Sequence, residues 1–210
     1  MRKLAERRWR DKLGLFAVEG EDLVEAARGA GIEPVELLRA GEDVEPALLA
    51  TVSELAHPPR VIGVYRREDL PRGSRDLTLA LWRVADPGNV GTLIRAADAF
   101  GAAVALSAGS ADPTGPKASR ASMGSIFRTP LLGFDQAEGR RVGLVPDGGR
   151  PLGEIDFDGR VVLVLGAERE GLPADVLARC AEAATIPLSG GAESLNVATA
   201  GAIALYEARR

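Results

Sequence analysis

Three short stretches of this 210-residue chain concentrate residue types that chemistry needs. "ADPGNVG" (Ala85–Gly91) sets Asn89 among a proline and two glycines, and Arg95 follows four residues later. "GAEREGLP" (Gly166–Pro173) carries Glu168, and "IPLSGGAESLN" (Ile186–Asn196) carries Ser194 and Asn196. A sharp turn that opens a helix leaves backbone N–H groups unpaired and can hold an anion. An arginine past that turn can grip a phosphate with its planar fork. Taken singly, each stretch has a plain reading: turn glycines, a surface Glu168, a capping Ser194. Three of them, each after an apolar run, read together as a site.

Other chemistries are excluded. No G-x-G-x-x-G follows the first strand of this region, and no G-x-x-x-x-G-K-[ST] occurs, so neither nucleotide fingerprint is present. The single cysteine, Cys180, excludes an internal disulfide and a cysteine-built zinc site, and reads as a buried small hydrophobe. The one histidine, His57, precedes Pro58-Pro59 and reads as a turn residue with no triad or ligand set around it. No metal is expected. There is no 18-residue apolar run and no apolar leader near Met1, so the expectation is a cytoplasmic protein without a membrane span.

The elements that must position these loops alternate. "LTLALWRV" reads as a strand, and "NVGTLIRAADAF" as a helix with Val90, Leu93, Ile94 and Ala97 on one face. Arg95 lies off that face, about one turn into the expected helix. "AAVALS", "RVGLVP", "RVVLVLG" and "ATIPL" are short apolar runs of the kind found in buried parallel strands. Helices between parallel strands imply right-handed crossovers, an α/β fold, and ligands at the C-terminal strand ends. Upstream, strand "LFAVEG", helix "EDLVEAARGAG", strand "PVELLRA", helix "EPALLATVSELA" and strand "RVIGVYRR" form a smaller α/β unit. The expected boundaries are residues 1–70, a linker at 71–76 ("PRGSRD"), and 77–210. From Leu195 to Tyr206 only Asn196, Thr199 and a tyrosine hydroxyl are polar, so this terminal helix should be covered on every side.

The chain resembles the SpoU family of the SPOUT class, the RNA ribose 2′-O-methyltransferases. "DPGNVGTLIRAADAFGA" (Asp86–Ala102), "LVLGAEREGLP" (Leu163–Pro173) and "IPLSGGAESLNVATAGAIALYE" (Ile186–Glu207) match its three motifs in order and spacing. "PKASRASMGSIFRTP" (Pro116–Pro130) is similar to a further family segment, and "RDKLGLFAVEGEDLVEAA" resembles the start of its ribosomal-protein-like substrate-binding domain. Two positions depart from the common pattern: Ala167 after the second-motif glycine and Ala198 after Asn196-Val197.

The resemblance implies a SPOUT domain with a parallel sheet and a deep trefoil knot, and a homodimer that covers the terminal helix. Ala198, Ala200, Gly201, Ala202 and Ala204 would permit close helix approach. It implies S-adenosylmethionine as cofactor, held by Gly166, Ile186, Leu188 and Leu195, with a further contact near Val145 or Pro146. The family assigns activation of the ribose hydroxyl to the arginine that is Arg95 here. Arginine is a poor base; it can act with a lowered pKa, or by positioning an RNA phosphate that shares the proton. Asn89 would shape its loop or bind substrate, Glu168 would orient Arg95 or the second loop, and Ser194 and Asn196 would fix the catalytic loops, with Asn196 buried.

Net charge is −4, which argues against binding nucleic acid by uniform charge. Residues 1–12, "MRKLAERRWRDK", carry six basic and two acidic side chains, so +4 lies there and −8 in the rest. A basic arm can touch phosphates locally; a solvated helix face is the bland alternative. The expected RNA contacts are Arg7, Arg8 and Arg10 of the arm, with Lys117, Arg120 and Arg128; Arg120 and Arg128 could instead pair with acidic residues. Ribosomal RNA is the leading substrate and transfer RNA the runner-up. A non-catalytic RNA-binding or ribosome-assembly factor is the competing class.

Overall fold

The computed structural model describes residues 1–53 and 59–210. His57 and the end of the helix expected at residues 45–56 lie outside the described residues.

The N-terminal unit is built around three strands, β1 (Leu15–Glu19), β2 (Glu36–Arg39) and β3 (Val61–Arg66). β3 is central and antiparallel to both neighbours. Alternation puts Phe16 and Val18 of β1 into the core, as a half-covered strand requires. Helix α1 (Arg7–Leu13) ends at Gly14, whose φ of 66° is left-handed and turns the chain into β1. Helix α2 (Glu21–Gly29) buries Leu23 and Ala27, and α3 (Pro46–Ala50) buries Leu49.

The C-terminal unit is a seven-stranded sheet. Its strands are β4 (Leu77–Leu81), β5 (Ala103–Leu106), β6 (Leu131–Gly133), β7 (Arg140–Leu144), β8 (Arg150–Pro151), β9 (Val161–Leu165) and β10 (Glu182–Thr185). The order is β6-β5-β4-β9-β7-β10-β8, with every pairing parallel. Helices α4 (Pro87–Ala99), α5 (Pro116–Ala121), α6 (Ala174–Leu177) and α7 (Val197–Glu207) complete it. β4 and β9 are buried at every position, as expected of central parallel strands.

The stretch at residues 71–76 is tied to this sheet. Leu131 N–H donates to the Pro71 carbonyl at 2.9 Å, and Val161 N–H to Asp76 at 2.7 Å. The two units also share one core. Phe16 and Tyr65 from the small sheet pack at a tilt against Phe127, which lies in a short 3-10 turn (Ser125–Phe127) of the C-terminal unit, with centroids 6.0 and 5.1 Å away. Beside them, a Cβ on Gly124 would sit 2.3 Å from that of Ala26 in α2, so glycine is what lets the units close.

Two strands end earlier than the apolar runs suggest. β4 stops at Leu81 because Arg83 turns left-handed, with φ 52°. β10 stops at Thr185, before Pro187, which has no N–H to give a ladder. Ile186 and Leu188 leave the sheet as a result.

The terminal helix is covered on one side only. Val197, Ala198, Gly201, Ala204 and Leu205 are buried, while Ile203 and Tyr206 are 36% and 57% exposed. A Cβ on Gly201 would lie 2.3 Å from Leu93 and 3.1 Å from Leu165. The small residue therefore serves close packing of α7 on α4 and β9 within the chain.

Candidate active site

The loop after β4 is organised by Asp86. Its Oδ1 accepts the Asn89 N–H at 2.9 Å and caps α4, and its Oδ2 accepts from Lys117 Nζ at 2.8 Å. The bonds from Lys117 and the Asn89 backbone hold this carboxyl below the usual aspartate range. The open anion site expected at this helix end is thus already filled by the chain's own carboxylate.

Asn89, on the first turn of α4, joins all three loops. Its Nδ2 donates to Glu168 Oε1 at 3.0 Å, and its Oδ1 accepts from Asn196 Nδ2 at 3.1 Å. Burial pushes the Glu168 carboxyl up. The hydrogen bond from Asn89 and N–H groups of Glu168, Asp86 and Ala85 outweigh this and hold it below the ordinary glutamate range. Ionised Glu168 only accepts, so it fixes which end of the Asn89 amide faces it. That in turn makes Asn196 a donor on Nδ2 and leaves its Oδ1 to cap α7, accepting from Ala198 and Thr199 at 2.9 and 3.3 Å. Two expectations change here. Asn196 is exposed rather than buried, and it, not Ser194, is the N-cap.

Beside this network, a cavity of about 230 Å³ opens at the ends of β7, β9 and β10. Val145, Gly166, Ile186, Leu188 and Leu195, the five expected cofactor positions, all line it, with Pro146, Glu168 and Ser194. Its walls are largely aliphatic, and Gly166 cannot be larger: a Cβ there would meet the Gly171 carbonyl carbon at 2.1 Å. Ala167 and Gly171 bridge to close this second loop. Ile186 and Leu188 reach the cavity because β10 has already ended. Such walls, with main-chain groups at strand ends, suit an adenosine better than a phosphate-rich ligand.

Arg95 is placed differently from the others. The helix starts at Pro87, so Arg95 is its ninth residue, two turns in rather than one. It is exposed, does not line the cavity, and makes no hydrogen bond or ion pair among the described residues. It shares a helix stripe with Gly91, whose face presses on Ala118 and Ala121 of α5.

The expected RNA contacts divide. Arg7 and Arg8 are exposed on α1, with Arg8 paired to Glu6 at 2.7 Å. Arg10 is not available: it is 4% exposed, donates Nε to Asp112 Oδ2 at 2.8 Å, and donates Nη1 to the Leu4 and Ala5 carbonyls. Asp112 also takes Arg67 and both the N–H and hydroxyl of Thr114. Burial of Asp112 raises its carboxyl pKa, and the Thr114 bonds with the Arg67 and Arg10 charges more than reverse this. Lys117 is exposed beside Asp86, Arg120 is half-buried, and Arg128 is paired to Asp98 at 2.6 Å. Cys180 is half-buried against the cluster that contains Val176 rather than fully enclosed.

One unusual backbone position escaped sequence reasoning. Arg83, two residues past β4, is exposed in a left-handed conformation that costs a side-chain-bearing residue about 1–2 kcal/mol. The Ser107 hydroxyl accepts its N–H at 2.8 Å, and Gly109 packs near its stem. Nothing in an arginine's neighbours along the sequence announces a positive φ.

Residues 76–206 match the SpoU rRNA Methylase family. The chain is 34% identical, over 99% of its length and 94% of the relative's, to the 23S rRNA (guanosine(2553)-2′-O)-methyltransferase RlmP of Bacillus subtilis strain 168. A 23S rRNA (uridine(2479)-2′-O)-methyltransferase of Streptomyces viridochromogenes is 34% identical over 79% of this chain and 65% of that protein. Among solved structures, an AdoMet-bound rRNA methyltransferase from Sinorhizobium meliloti superposes with TM-score 0.86 at 31% identity, covering 99% of this chain and 92% of that one. The SpoU methyltransferase AviRb from Streptomyces viridochromogenes, in complex with AdoMet, gives 0.88 at 28% identity, covering 99% and 94%.

Proposed function

The chain belongs to the SpoU rRNA methylase family, and from that membership together with its strand-end cavity we infer that it methylates ribose 2′-hydroxyls of ribosomal RNA, specifically of 23S rRNA. It is an S-adenosylmethionine-dependent RNA 2′-O-methyltransferase. The observation that carries the reading is the meeting of all three loops: five expected cofactor positions around one cavity, and Asn89 bonded to both Glu168 and Asn196.

When bound, the cofactor supplies an electrophilic methyl group on a sulfonium. Val145, Ile186, Leu188 and Leu195 offer it aliphatic walls, and Gly166 gives main-chain access. Glu168, ionised at the rim, favours a cationic sulfonium nearby. The Glu168–Asn89–Asn196 line holds the three loops in register, and Ser194 faces the cavity beside it. A ribose hydroxyl is a weak nucleophile until its proton is drawn off. Arginine serves as a base only when stripped of water, and Arg95 is exposed. The role that fits is to grip an RNA phosphate that shares the proton.

We assign RNA capture to residues 1–70 with Lys117, Arg120 and Arg128, and methyl transfer to residues 77–210. Arg10 is left out of the capture set because it is buried in an ion pair. The uncovered stripe of α7, with Ile203 and Tyr206, supports a homodimer that buries it. The parallel order β4-β9-β7-β10, with α7 returning under β4 and β9, supports a trefoil-knotted C-terminal segment. The compartment that fits an rRNA substrate is the cytoplasm.

Mapping 2′-O-methyl positions in total RNA with and without the gene tests the reading. One ribose of 23S rRNA should lose its methyl group and regain it when purified protein and cofactor are added. A methyl group lost from transfer RNA alone would overturn it.

A further inference from the structure

Three cations, two from α1 and Lys3 from the 3-10 turn before it, surround the indole of Trp9 on α1. Lys3 Nζ lies 4.4 Å, Lys12 Nζ 5.2 Å and the Arg8 guanidinium carbon 5.6 Å from the Trp9 ring centroid. All three cationic residues are exposed, and Trp9 is half-buried. Only Arg8 has a carboxylate, Glu6 at 2.7 Å; Lys3 and Lys12 make no ion pair among the described residues. Like charges this close repel, and the attraction of a ring face for each cation is modest at an exposed site. The arrangement is therefore short of negative charge. It is also rigid, because the next residue, Arg10, locks α1 to Asp112 in the methyltransferase unit. One turn further on, Leu13 leaves a second apolar side chain 49% exposed.

We propose that Trp9 is a stacking platform for an unpaired base of the RNA substrate, with Lys3, Arg8 and Lys12 holding the flanking phosphates. This rests on the RNA methyltransferase reading and deepens it. A polyanion satisfies the unpaired lysines and draws them off the ring. The freed face then takes a base, since every base presents a π-face and stacking needs no particular sequence. An acidic protein would satisfy the lysines but has no flat aromatic system recurring beside its charges. The platform accordingly selects single-stranded nucleic acid over other anions.

The chain has two tryptophans, and the other, Trp82, lies just past β4 in the C-terminal unit and packs edge-on against Phe134 at 5.1 Å. Trp82→Phe in the full chain therefore leaves a single reporter on α1. It should be titrated with a mixed-sequence oligoribonucleotide of about twelve nucleotides, an abasic strand of equal length, and inorganic polyphosphate. The base-bearing strand should quench Trp9 emission, and the other two should not. In the otherwise unchanged protein, Trp9→Ala should weaken oligoribonucleotide binding roughly 5- to 150-fold, Trp9→Phe should retain most of it, and cofactor affinity should be unaffected. Equal quenching by abasic strand or polyphosphate overturns the platform, as does unchanged affinity in Trp9→Ala. If either occurs while wild-type protein still methylates 23S rRNA, the platform alone falls; absence of both RNA binding and transfer removes the RNA reading with it.

Discussion

Asn196 donates its amide to Asn89 at 3.1 Å, joining two loops that lie 107 residues apart in the chain. The same Asn196 caps α7 and the same Asn89 donates to Glu168, so one polarity runs from a carboxylate to a helix end. Asn196→Ala should cost about 1 kcal/mol through the lost cap and lower transfer as well. Asn89→Asp should be worse for transfer than Asn89→Ala, because it sets a second carboxylate against Glu168. Denaturant unfolding and single-turnover methyl transfer on each variant check both expectations. Equal rates for the two Asn89 variants would remove the charge argument.

Arg95 is exposed and off the cavity, so its removal should leave the fold alone. Arg95→Ala should melt and bind S-adenosylmethionine as wild type does, yet lose transfer by about 10²–10⁴-fold, the usual worth of proton-transfer assistance. Arg95→Lys should recover little, since an ammonium lacks the planar fork. Near-normal single-turnover rates at saturating RNA and cofactor would reduce Arg95 to a surface residue.

Two residues of α7, two positions apart, should separate folding from association. Gly201 faces Leu93 and Leu165, so Gly201→Leu should destabilise the chain itself by about 1–3 kcal/mol through overpacking. Ile203 faces outward, so Ile203→Asp should leave the protomer folded and shift sedimentation from dimer to monomer. A dimer unchanged by Ile203→Asp would locate the interface elsewhere.

The Asp112 cluster makes an acid prediction. Its folded pKa lies below the ordinary aspartate value, so the unfolded chain takes up the proton first as pH falls. The stabilisation is fully present above about pH 4 and is lost as pH drops through the folded pKa. Thermal melts should show a fall in Tm below about pH 4 that Asp112→Asn flattens. Asp112→Asn should also be less stable at neutral pH, because Arg10 then stays buried without its counter-charge.

The three loops were legible because their chemistry is local. A glycine that must clear Gly171, an asparagine in a Pro-Gly turn, and apolar runs of strand length all announce themselves within a few residues. What was hidden depended on distant partners. Arg10 reads as one basic residue among six, and only Asp112, 102 positions away, makes it a core residue. α5, "PKASRA", has small and polar residues with no apolar period, and β8 is two residues long, so neither gives a signal. The terminal helix read as apolar all round because sequence cannot divide such a surface between the side that packs on the core and the side left open.

The shared aromatic contact of Phe16, Tyr65 and Phe127 sets a limit on how this protein can choose its target. A substrate-binding unit on a loose tether would sweep many nucleotides past the cavity and need a second recognition step there. With RNA capture assigned to residues 1–70, the grip and the reacting centre would be parts of one solid. The enzyme would then work as a caliper: with the span from α1 to the cavity fixed, the ribose that receives the methyl group would be whichever one the folded RNA presents at that span.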